Sequence, residues 1–274
     1  MMSNTTDNLL SATYDLRSIT GPFDIIGDVH GCYPELRALL TALGREGMDS
    51  YESPGVSYNS EGASAGSEDD ARKVVFLGDL TDRGPDSVGV LRLVMGMVAA
   101  GRAICLRGNH DDKLARKLAG RNVSVRNGLE TTLEELAHEP PAFVERVPGF
   151  LQGLVSYHVL DEGRLVVAHA GIKEDMIGER SGKVQAFTLY GDTTGEIDEH
   201  GLPIRRDWAA DYRDDAMVVY GHTPVQIAKW VHNTINIDTG CVFGGRLTAL
   251  RYPERELVSV PAQRVYYGRV GFGE

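Results

Sequence analysis

The sequence predicts an α/β fold resembling an α+β sandwich, with two central mixed β-sheets flanked by helices. Two observations predict it: apolar runs of strand length alternate with helix-period segments early in the chain, and later apolar runs follow one another across short connections. The chain has 274 residues, of which 42% are hydrophobic, and this is enough to build the core of one large domain.

The first part of the chain repeats a strand, a polar loop and a helix three times. The predicted strands cover 23–26, 73–77 and 103–106, and the predicted helices cover about 34–43, 86–99 and 113–119. Gly, Asp, His and Asn are concentrated in the loop that follows each strand. Open α/β sheets bind ligands at the carboxyl ends of their strands, so these loops are expected to converge at one edge.

The later part of the chain predicts a second sheet packed against the first. Its predicted strands cover 164–168, 217–220, 234–237, 246–250 and 257–260. Between the sheets, 122–154 is expected to form a helical cap beside the site, because Thr131 to Glu135 carries a capping signal and neighbouring leucines form a helical stripe. The segment 44–72 lacks periodicity and predicts a flexible insertion. The predicted organisation is an N-terminal extension 1–22, a domain 23–262 and a tail 263–274.

Composition and charge narrow the possible environments and partners. The cysteines, Cys32, Cys105 and Cys241, are odd in number and widely spaced, so they predict packing residues in a reducing cytoplasm instead of a disulfide framework. The chain shows neither a signal peptide nor an apolar run long enough to cross a membrane, which again predicts a cytoplasmic protein. A net charge of −11 argues against an extended nucleic-acid-binding face.

Five short blocks contain the strongest chemical signal. They are GDVHG at 27–31, GDLTDRG at 78–84, RGNHD at 107–111, HAG at 169–171 and GHTP at 221–224. Each block alone is compatible with an ordinary polar turn. In this order the blocks predict a two-metal site at the strand ends, because they combine carboxylate, amide and imidazole ligands. The predicted ligands are Asp28, His30, Asp79, Asn109, His169 and His222, with Asp79 bridging the two ions. The mixed oxygen and nitrogen set favours Mn²⁺, with Fe, Ni or Zn²⁺ as alternatives, over Mg²⁺ or Ca²⁺.

A site of this kind is suited to hydrolysis of phosphate esters, since two ions can clamp the phosphoryl oxygens and activate a hydroxide. The guanidinium of Arg83 is expected to bind phosphate oxygens. His110 is expected to protonate the leaving oxygen, with Asp82 orienting its ring. Asp238 is predicted to bind substrate or to orient a ligand imidazole or an arginine, and a turn-forming Asp is the alternative.

The blocks resemble the calcineurin-like metallophosphoesterase superfamily, within its phosphoprotein-phosphatase branch. The stretches at 88–103, 111–118, 189–203 and 235–261 are most similar to the phosphatase domain of bacterial polynucleotide kinase-phosphatase, and PrpE-like phosphatases share much of the signature. This resemblance implies the same six metal ligands, a phosphate-binding Arg83, an acid pair of His110 and Asp82, and a functional role for Asp238. No GxxxxGK motif followed by Ser or Thr is present, and these 274 residues leave no room for a ligase, so the resemblance does not imply kinase or ligase activity. Symmetrical dinucleoside tetraphosphate hydrolases typically carry Gln where this chain has His30, which argues against that assignment.

These observations predict an enzyme that hydrolyses phosphomonoesters of nucleotides or RNA ends, with 2′,3′-cyclic phosphodiesters as further substrates, by direct attack of a metal-bridging hydroxide. A protein Ser/Thr or Tyr phosphatase and a dinucleoside tetraphosphate hydrolase are the alternatives. Association with kinase or ligase proteins of RNA repair follows from the resemblance alone. A catalytically silent binding module would be expected to have lost a ligand, and none is lost here.

Overall fold

The structure is a computed structural model that describes residues 13–45, 72–199 and 203–268. Most of the predicted insertion at 44–72, and parts of the predicted N-terminal extension and C-terminal tail, lie outside the described residues. No helix in the described part of the chain is long and apolar enough to span a membrane.

The strands form two sandwich sheets and one small hairpin. Their bounds are β1 Asp15–Leu16, β2 Phe23–Ile26, β3 Lys73–Phe76, β4 Ala103–Cys105, β5 Tyr157–Leu160, β6 Leu165–Ala168, β7 Thr193–Ile197, β8 Pro203–Arg205, β9 Met217–Tyr220, β10 Trp230–Val231, β11 Thr234–Asn236, β12 Arg246–Tyr252 and β13 Glu256–Pro261. The first sheet has five strands in the order β13-β12-β2-β3-β4, and the second has six in the order β1-β5-β6-β9-β11-β10. Strands β7 and β8 pair with each other as an antiparallel hairpin.

Parallel pairing aligns the strand ends that carry the polar loops. In the first sheet β2, β3 and β4 are parallel, and in the second sheet β6, β9 and β11 are parallel. The helices are α1 Tyr33–Ala42, α2 Ser87–Ala99, α3 Asn109–Leu118, α4 Leu129–Ala137, α5 Pro141–Val144, α6 Arg146–Gly153 and α7 Gly182–Tyr190. The segment 122–154 contains α4, α5 and α6, and its role as a cap beside the site stays a prediction.

The core explains why neighbouring residues of one strand are both buried. Ile25 belongs to the cluster between the two sheets, whereas the next residue, Ile26, packs against the helices on the outer face. Val167 and Val219 of the second sheet fill the same inter-sheet cluster. A third cluster, which includes Trp208, covers the other face of the second sheet. The predicted fold class, two mixed sheets flanked by helices, is confirmed.

The assignment of the last two strands to the second sheet was wrong. Strand β12 pairs antiparallel with β2, and β13 pairs with β12, so both extend the first sheet. Both faces of β12 are apolar: Ala249 packs toward the helices and Leu250 toward the other sheet. An apolar run of this kind fits either sheet, because periodicity specifies burial but not the neighbouring strand.

The start of the third helix also differs from the prediction. The segment expected to be a loop before Lys113 is already helical from Asn109. The side chain of Asp111, at the third helical position, accepts a hydrogen bond from the N–H of the N-cap residue Gly108 at 2.8 Å. Asn109 and His110 therefore lie in the first helical turn, which fixes the direction of both side chains.

Candidate metal centre

The six predicted ligands come together where the two sheets meet. Asp28 and His30 follow β2, Asp79 follows β3, Asn109 begins α3, His169 follows β6 and His222 follows β9. Backbone hydrogen bonds join these loops directly: the N–H of His30 donates to the carbonyl of Asp79 at 2.8 Å, and the N–H of Gly221 donates to that of His169 at 2.8 Å. The expected convergence of the loops at one edge is thus what the structure shows.

Asp79 lies between two imidazoles and has the geometry of a bridging carboxylate. Its Oδ2 is 3.5 Å from Nε2 of His30, and its Oδ1 is 3.6 Å from Nε2 of His169. One ligand atom each from Asp79, His169 and His222 lie within 4.8 Å of one another, and so do those of His30, Asp79 and His110. A carboxylate that turns one oxygen toward each of two histidines can bind two metal ions at once, one through each oxygen.

The tautomers of two histidines suit metal binding. The Nδ1–H of His30 donates to the carbonyl of Thr81 at 3.0 Å, and the Nδ1–H of His169 donates to the carbonyl of Leu77 at 3.0 Å. Because a carbonyl only accepts, both protons must be on Nδ1, and both Nε2 lone pairs face the site. Burial lowers the pKa of His30 well below its ordinary value and that of His169 to about 4, so both rings are neutral at pH 7.

Asn109 and His222 complete a donor set that fits a divalent ion. Oδ1 of Asn109 is 3.1 Å from Nε2 of His169, and Nδ1 of His222 is 3.2 Å from the same atom. Nε2 of His169 carries no proton, so this nitrogen and the amide oxygen of Asn109 are both acceptors, and their close approach is favourable when a cation lies between them. A guanidinium of Arg205 donates to Nε2 of His222, so Nδ1 carries the proton of the neutral His222 ring and donates to Nε2 of His169. The mixed set of oxygen and nitrogen donors is compatible with Mn²⁺, Fe, Ni or Zn²⁺.

Buried negative charge gives a second reason for cations at this site. Asp28 accepts the backbone N–H of His222 at 3.2 and 3.0 Å, but burial and then the charges of Asp238 and Asp79 raise its pKa well above the ordinary value. Burial also raises the pKa of Asp79 to about 7. The ions would offset the cost of burying these carboxylates side by side.

His110 and Asp82 form the contact that was predicted for an acid pair. The Nδ1–H of His110 donates to Oδ2 of Asp82 at 2.7 Å, and the hydroxyl of Thr132 donates to Oδ1 at 2.7 Å. Nε2 of His110 accepts from a guanidinium N–H of Arg83 at 2.8 Å. Burial, followed by the charge of Arg83, lowers the pKa of His110, while burial raises that of Asp82 to about 6.

The guanidinium of Arg83 bridges His30 and His110, because each of its two terminal nitrogens donates to one of these rings. Its second terminal nitrogen donates to Nε2 of His30 at 2.8 Å, and its guanidinium lies over the rings of Phe243 and Tyr267, 5.4 and 5.8 Å from their centroids. The planar group therefore faces the candidate metal centre with aromatic support behind it.

Arg205 is a site residue that sequence reasoning missed. It ends strand β8, and its guanidinium donates to Nε2 of His222 at 2.9 Å. The stretch up to Pro203 supported only a resemblance, and no spacing rule connects a hairpin arginine to a histidine 17 residues later. Arg205 and Arg83 thus contact different histidines of the candidate centre, His222 and His30.

Asp238 lies beside Asp28 and also shapes a turn. It is buried, its charge contributes to the raised pKa of Asp28, and its Oδ1 accepts the N–H of Gly240 at 3.1 Å. The turn-forming alternative is therefore observed. A role for Asp238 in substrate binding stays a prediction.

Several residues of the candidate metal centre have strained backbone conformations. Left-handed φ values occur at His30 (45°), Asp79 (47°), Asp82 (75°), Arg83 (74°) and His222 (72°). Such conformations cost about 1–3 kcal/mol each in non-glycine residues and persist where the surrounding structure enforces them. The backbone of Gly108 packs tightly against one of these residues, since a Cβ at Gly108 would lie only 2.1 Å from Oδ1 of Asp79.

Comparison with known proteins gives concordant results. The family model described as calcineurin-like phosphoesterase matches residues 21–226. The chain is 48% identical over 248 residues to the asymmetrical bis(5′-nucleosyl)-tetraphosphatase PrpE of Anoxybacillus flavithermus, covering 89% of this chain and 96% of that protein. It is 50% identical over 243 residues to the protein of the same name from Geobacillus thermodenitrificans, covering 87% and 94%.

Solved structures agree on the fold. A crystal structure of a candidate diadenosine tetraphosphatase superposes with a TM-score of 0.61 at 26% identity, covering 90% of this chain and 96% of that one. A Saccharomyces cerevisiae protein serine/threonine phosphatase gives a TM-score of 0.58 at 14% identity, covering 94% and 87%, and at that identity the likeness concerns the fold alone.

Proposed function

Because the chain belongs to the calcineurin-like phosphoesterase family, whose members hydrolyse phosphoric ester bonds, we propose a specific substrate for it. We propose that it cleaves dinucleoside tetraphosphates asymmetrically. Water would break the link between the first and second phosphates and release one nucleoside monophosphate and one nucleoside triphosphate. Two relatives at 48% and 50% identity that carry the name of this activity support the proposal. His30 also stands where symmetrical hydrolases typically carry Gln.

The observation that carries the proposal is the pair of arginines at the candidate metal centre. Arg83 donates to Nε2 of His30, and Arg205, from the β7–β8 hairpin, donates to Nε2 of His222. A tetraphosphate presents several anionic groups in a row, so two guanidinium groups at different ligand histidines can bind the reacting phosphate and one of its neighbours. A simple phosphomonoester would occupy less of this cationic surface.

We propose that Asp28, His30, Asp79, Asn109, His169 and His222 would hold two divalent ions, with Mn²⁺ as the preferred metal, and that the carboxylate of Asp79 would contribute to both sites. When bound, the ions would polarise the phosphoryl oxygens and lower the pKa of the attacking water. All other steps belong to side chains of the protein.

Arg83 and His110 would act in sequence. In the structure the Arg83 guanidinium donates to Nε2 of His110, which keeps this nitrogen unprotonated. Binding of a phosphate oxygen by Arg83 would free Nε2 of His110 to take up a proton from solvent water, and the ring would then deliver this proton to the departing bridging oxygen. Asp82 would hold the Nδ1–H and stabilise the ring while it is charged.

Product analysis tests the proposal directly. Diadenosine tetraphosphate is incubated with Mn²⁺-loaded protein, and the nucleotides are separated by ion-exchange chromatography. Equal amounts of AMP and ATP are expected, whereas two ADP per substrate would contradict asymmetric cleavage. The variant Asp79→Asn serves as the control, since it removes the shared carboxylate and should abolish product formation.

Hydrolysis of phosphomonoesters at nucleotides or RNA ends is the second candidate function. The His110–Asp82 pair favours it, because a general acid matters most when the leaving group is an alkoxide. The same assay with an RNA 3′-phosphate, a 2′,3′-cyclic nucleotide and a phosphopeptide compares the candidates by kcat/KM. The RNA-repair role, the association with kinase or ligase proteins and the cytoplasmic location stay predictions.

A further inference from the structure

A second cluster of potential ligands lies in the core, behind the loops that carry the candidate metal centre. Cys32 immediately precedes α1, Glu35 lies in its first turn, and Cys241 lies in the short 3₁₀ turn that follows Asp238. The three residues are 0%, 1% and 2% exposed, and one ligand atom from each lies within 4.8 Å of the other two. None of them belongs to the two His and Asp groups of the centre itself.

Glu35 lacks a full set of partners. Its Oε1 accepts the backbone N–H of Gln263 at 2.8 Å and the hydroxyl of Tyr266 at 2.8 Å. Its Oε2 is buried and has no hydrogen-bond partner, and no ion pair involves Glu35 in the described part of the chain. A carboxylate oxygen left alone in an apolar core is costly unless a proton or a cation satisfies it.

We propose that Cys32, Glu35 and Cys241 bind a third, thiophilic divalent ion, of which Zn²⁺ is the natural choice. Thiolate sulfur and carboxylate oxygen are both ordinary ligands of Zn²⁺, and the close grouping of the three ligand atoms suits a single ion. On binding, each thiol releases its proton to solvent. Two thiolates and one carboxylate would then oppose the two positive charges of the ion, which leaves one negative charge on the cluster. The ion would also give Oε2 of Glu35 the partner that it lacks.

The proposed ion would have a structural role in holding the C-terminal segment 262–268. Glu35 already contacts Gln263 and Tyr266 of this segment, and the next residue, Tyr267, supports the guanidinium of Arg83. Fixing the Glu35 carboxylate would thus fix the segment that stands behind the phosphate-binding arginine. The site has no part in bond breaking, and its existence does not depend on the proposed substrate.

Reconstitution with Co²⁺ tests the proposal without an activity measurement, because thiolate ligands give a charge-transfer absorption that oxygen and imidazole ligands do not. Metal-free full-length protein is loaded with Co²⁺, desalted and examined by metal analysis and absorption spectroscopy. Wild-type protein is expected to bind three ions and to show the thiolate band. Cys32→Ser and Cys241→Ser should bind two ions and lack the band. Cys105→Ser is the matched control, a buried free cysteine outside the cluster, and should keep both.

Two further variants keep the test decisive if a serine variant does not fold. Asp79→Asn should lose ions from the catalytic centre but keep the thiolate band, which separates this proposal from the proposed function. Glu35→Gln should weaken binding of the third ion by about tenfold or more. Wild-type and Asp79→Asn proteins that fold but show no thiolate band would overturn the proposal, as would a band that survives in both serine variants.

Discussion

Both ring nitrogens of His110 make hydrogen bonds, and its proposed role as a general acid can be tested by substitution. Its Nδ1–H donates to Asp82, and its Nε2 faces Arg83. Replacement by Ala should lower kcat/KM for an alkyl phosphate by about 10²–10⁴-fold, the usual contribution of a general acid. The loss should be much smaller for p-nitrophenyl phosphate, whose leaving group needs little protonation.

His138→Ala is the control for that comparison, because His138 is exposed and its ring donates to the backbone carbonyl of Glu134. It should leave both rates unchanged. Equal losses for the two substrates in His110→Ala would instead point to a structural role for the imidazole.

Arg205 and Arg206 provide a matched pair at the substrate-binding side. Arg205 points to His222, whereas Arg206 pairs with Asp192 at 3.2 Å and has a side chain that is 61% exposed. Arg205→Ala should cost about 1.5–3 kcal/mol of transition-state binding for diadenosine tetraphosphate, as expected for a hydrogen bond to a charged group. Arg206→Ala should have little effect. Steady-state kinetics measure kcat/KM for both variants. Similar losses of kcat/KM in the two variants would contradict a role for Arg205 in substrate binding.

At the scale of elements, helix α4 positions the acid pair through one hydroxyl. Thr132 donates to Oδ1 of Asp82 at 2.7 Å and also accepts the backbone N–H of Asp82 at 3.1 Å. Thr132→Val keeps the shape but leaves buried groups unpaired, a cost of about 1–3 kcal/mol. We expect a lower melting temperature and a lower kcat for phosphomonoesters.

The neighbouring Thr131 is exposed, so Thr131→Val is the matched control and should be neutral. A double variant with His110→Ala tests whether Thr132 acts through the acid pair. If it does, Thr132→Val should reduce the rate little further once His110 is absent, and fully multiplicative losses would contradict this coupling.

The sequence predicted the structure best for strands that are buried on both faces and are followed by a loop of Gly, Asp, His or Asn. Strands β2 and β3 are short, largely apolar runs that end at polar blocks, so their position and the convergence of Asp28, His30 and Asp79 followed from the pattern. The pairing of β12 with β2 did not follow, because Leu250 would be buried equally well in either sheet.

Other features depended on contacts between residues far apart in sequence. The early start of α3 results from the side chain of Asp111, which accepts N–H groups from Gly108 and from Leu80, 31 residues earlier. Arg205 reaches the site because β7 and β8 form a hairpin, and the short, largely exposed β8 carries no apolar signal. Such contacts are set by tertiary packing and have no local signature.

At the scale of the whole molecule, the buried carboxylates predict how stability without metal depends on pH. Burial raises the pKa of Asp79 to about 7, above its ordinary value of 3.8. A raised folded-state pKa gives stability that is complete below the unfolded pKa and is lost as pH rises through the folded one. Between about pH 4 and 7, Asp79 should therefore increasingly destabilise the metal-free protein.

The variant Asp79→Asn removes this carboxylate and, with it, the repulsion that helps to raise the pKa of Asp28, so the two effects disappear together. In EDTA its melting temperature should exceed that of the wild type by a margin that grows from about pH 5 to about pH 7 and then levels off. Added Mn²⁺ should reverse the order at pH 8, since only the wild type has the shared ligand. Thermal denaturation with and without metal measures both effects, and a margin independent of pH would show that Asp79 is not the group responsible.

The meeting of the two sheets at the candidate metal centre also sets the order of events during biosynthesis. The carboxylate of Asp28 bonds to the backbone of His222, 194 residues later, and the other ligands are distributed between them. A ribosome must therefore synthesise most of the chain before the last ligand emerges, and long-range pairings of this kind form slowly. If the six residues bind metal as proposed, metal acquisition is expected to be a late step in maturation, because nascent chains that end before His222 would lack one proposed ligand.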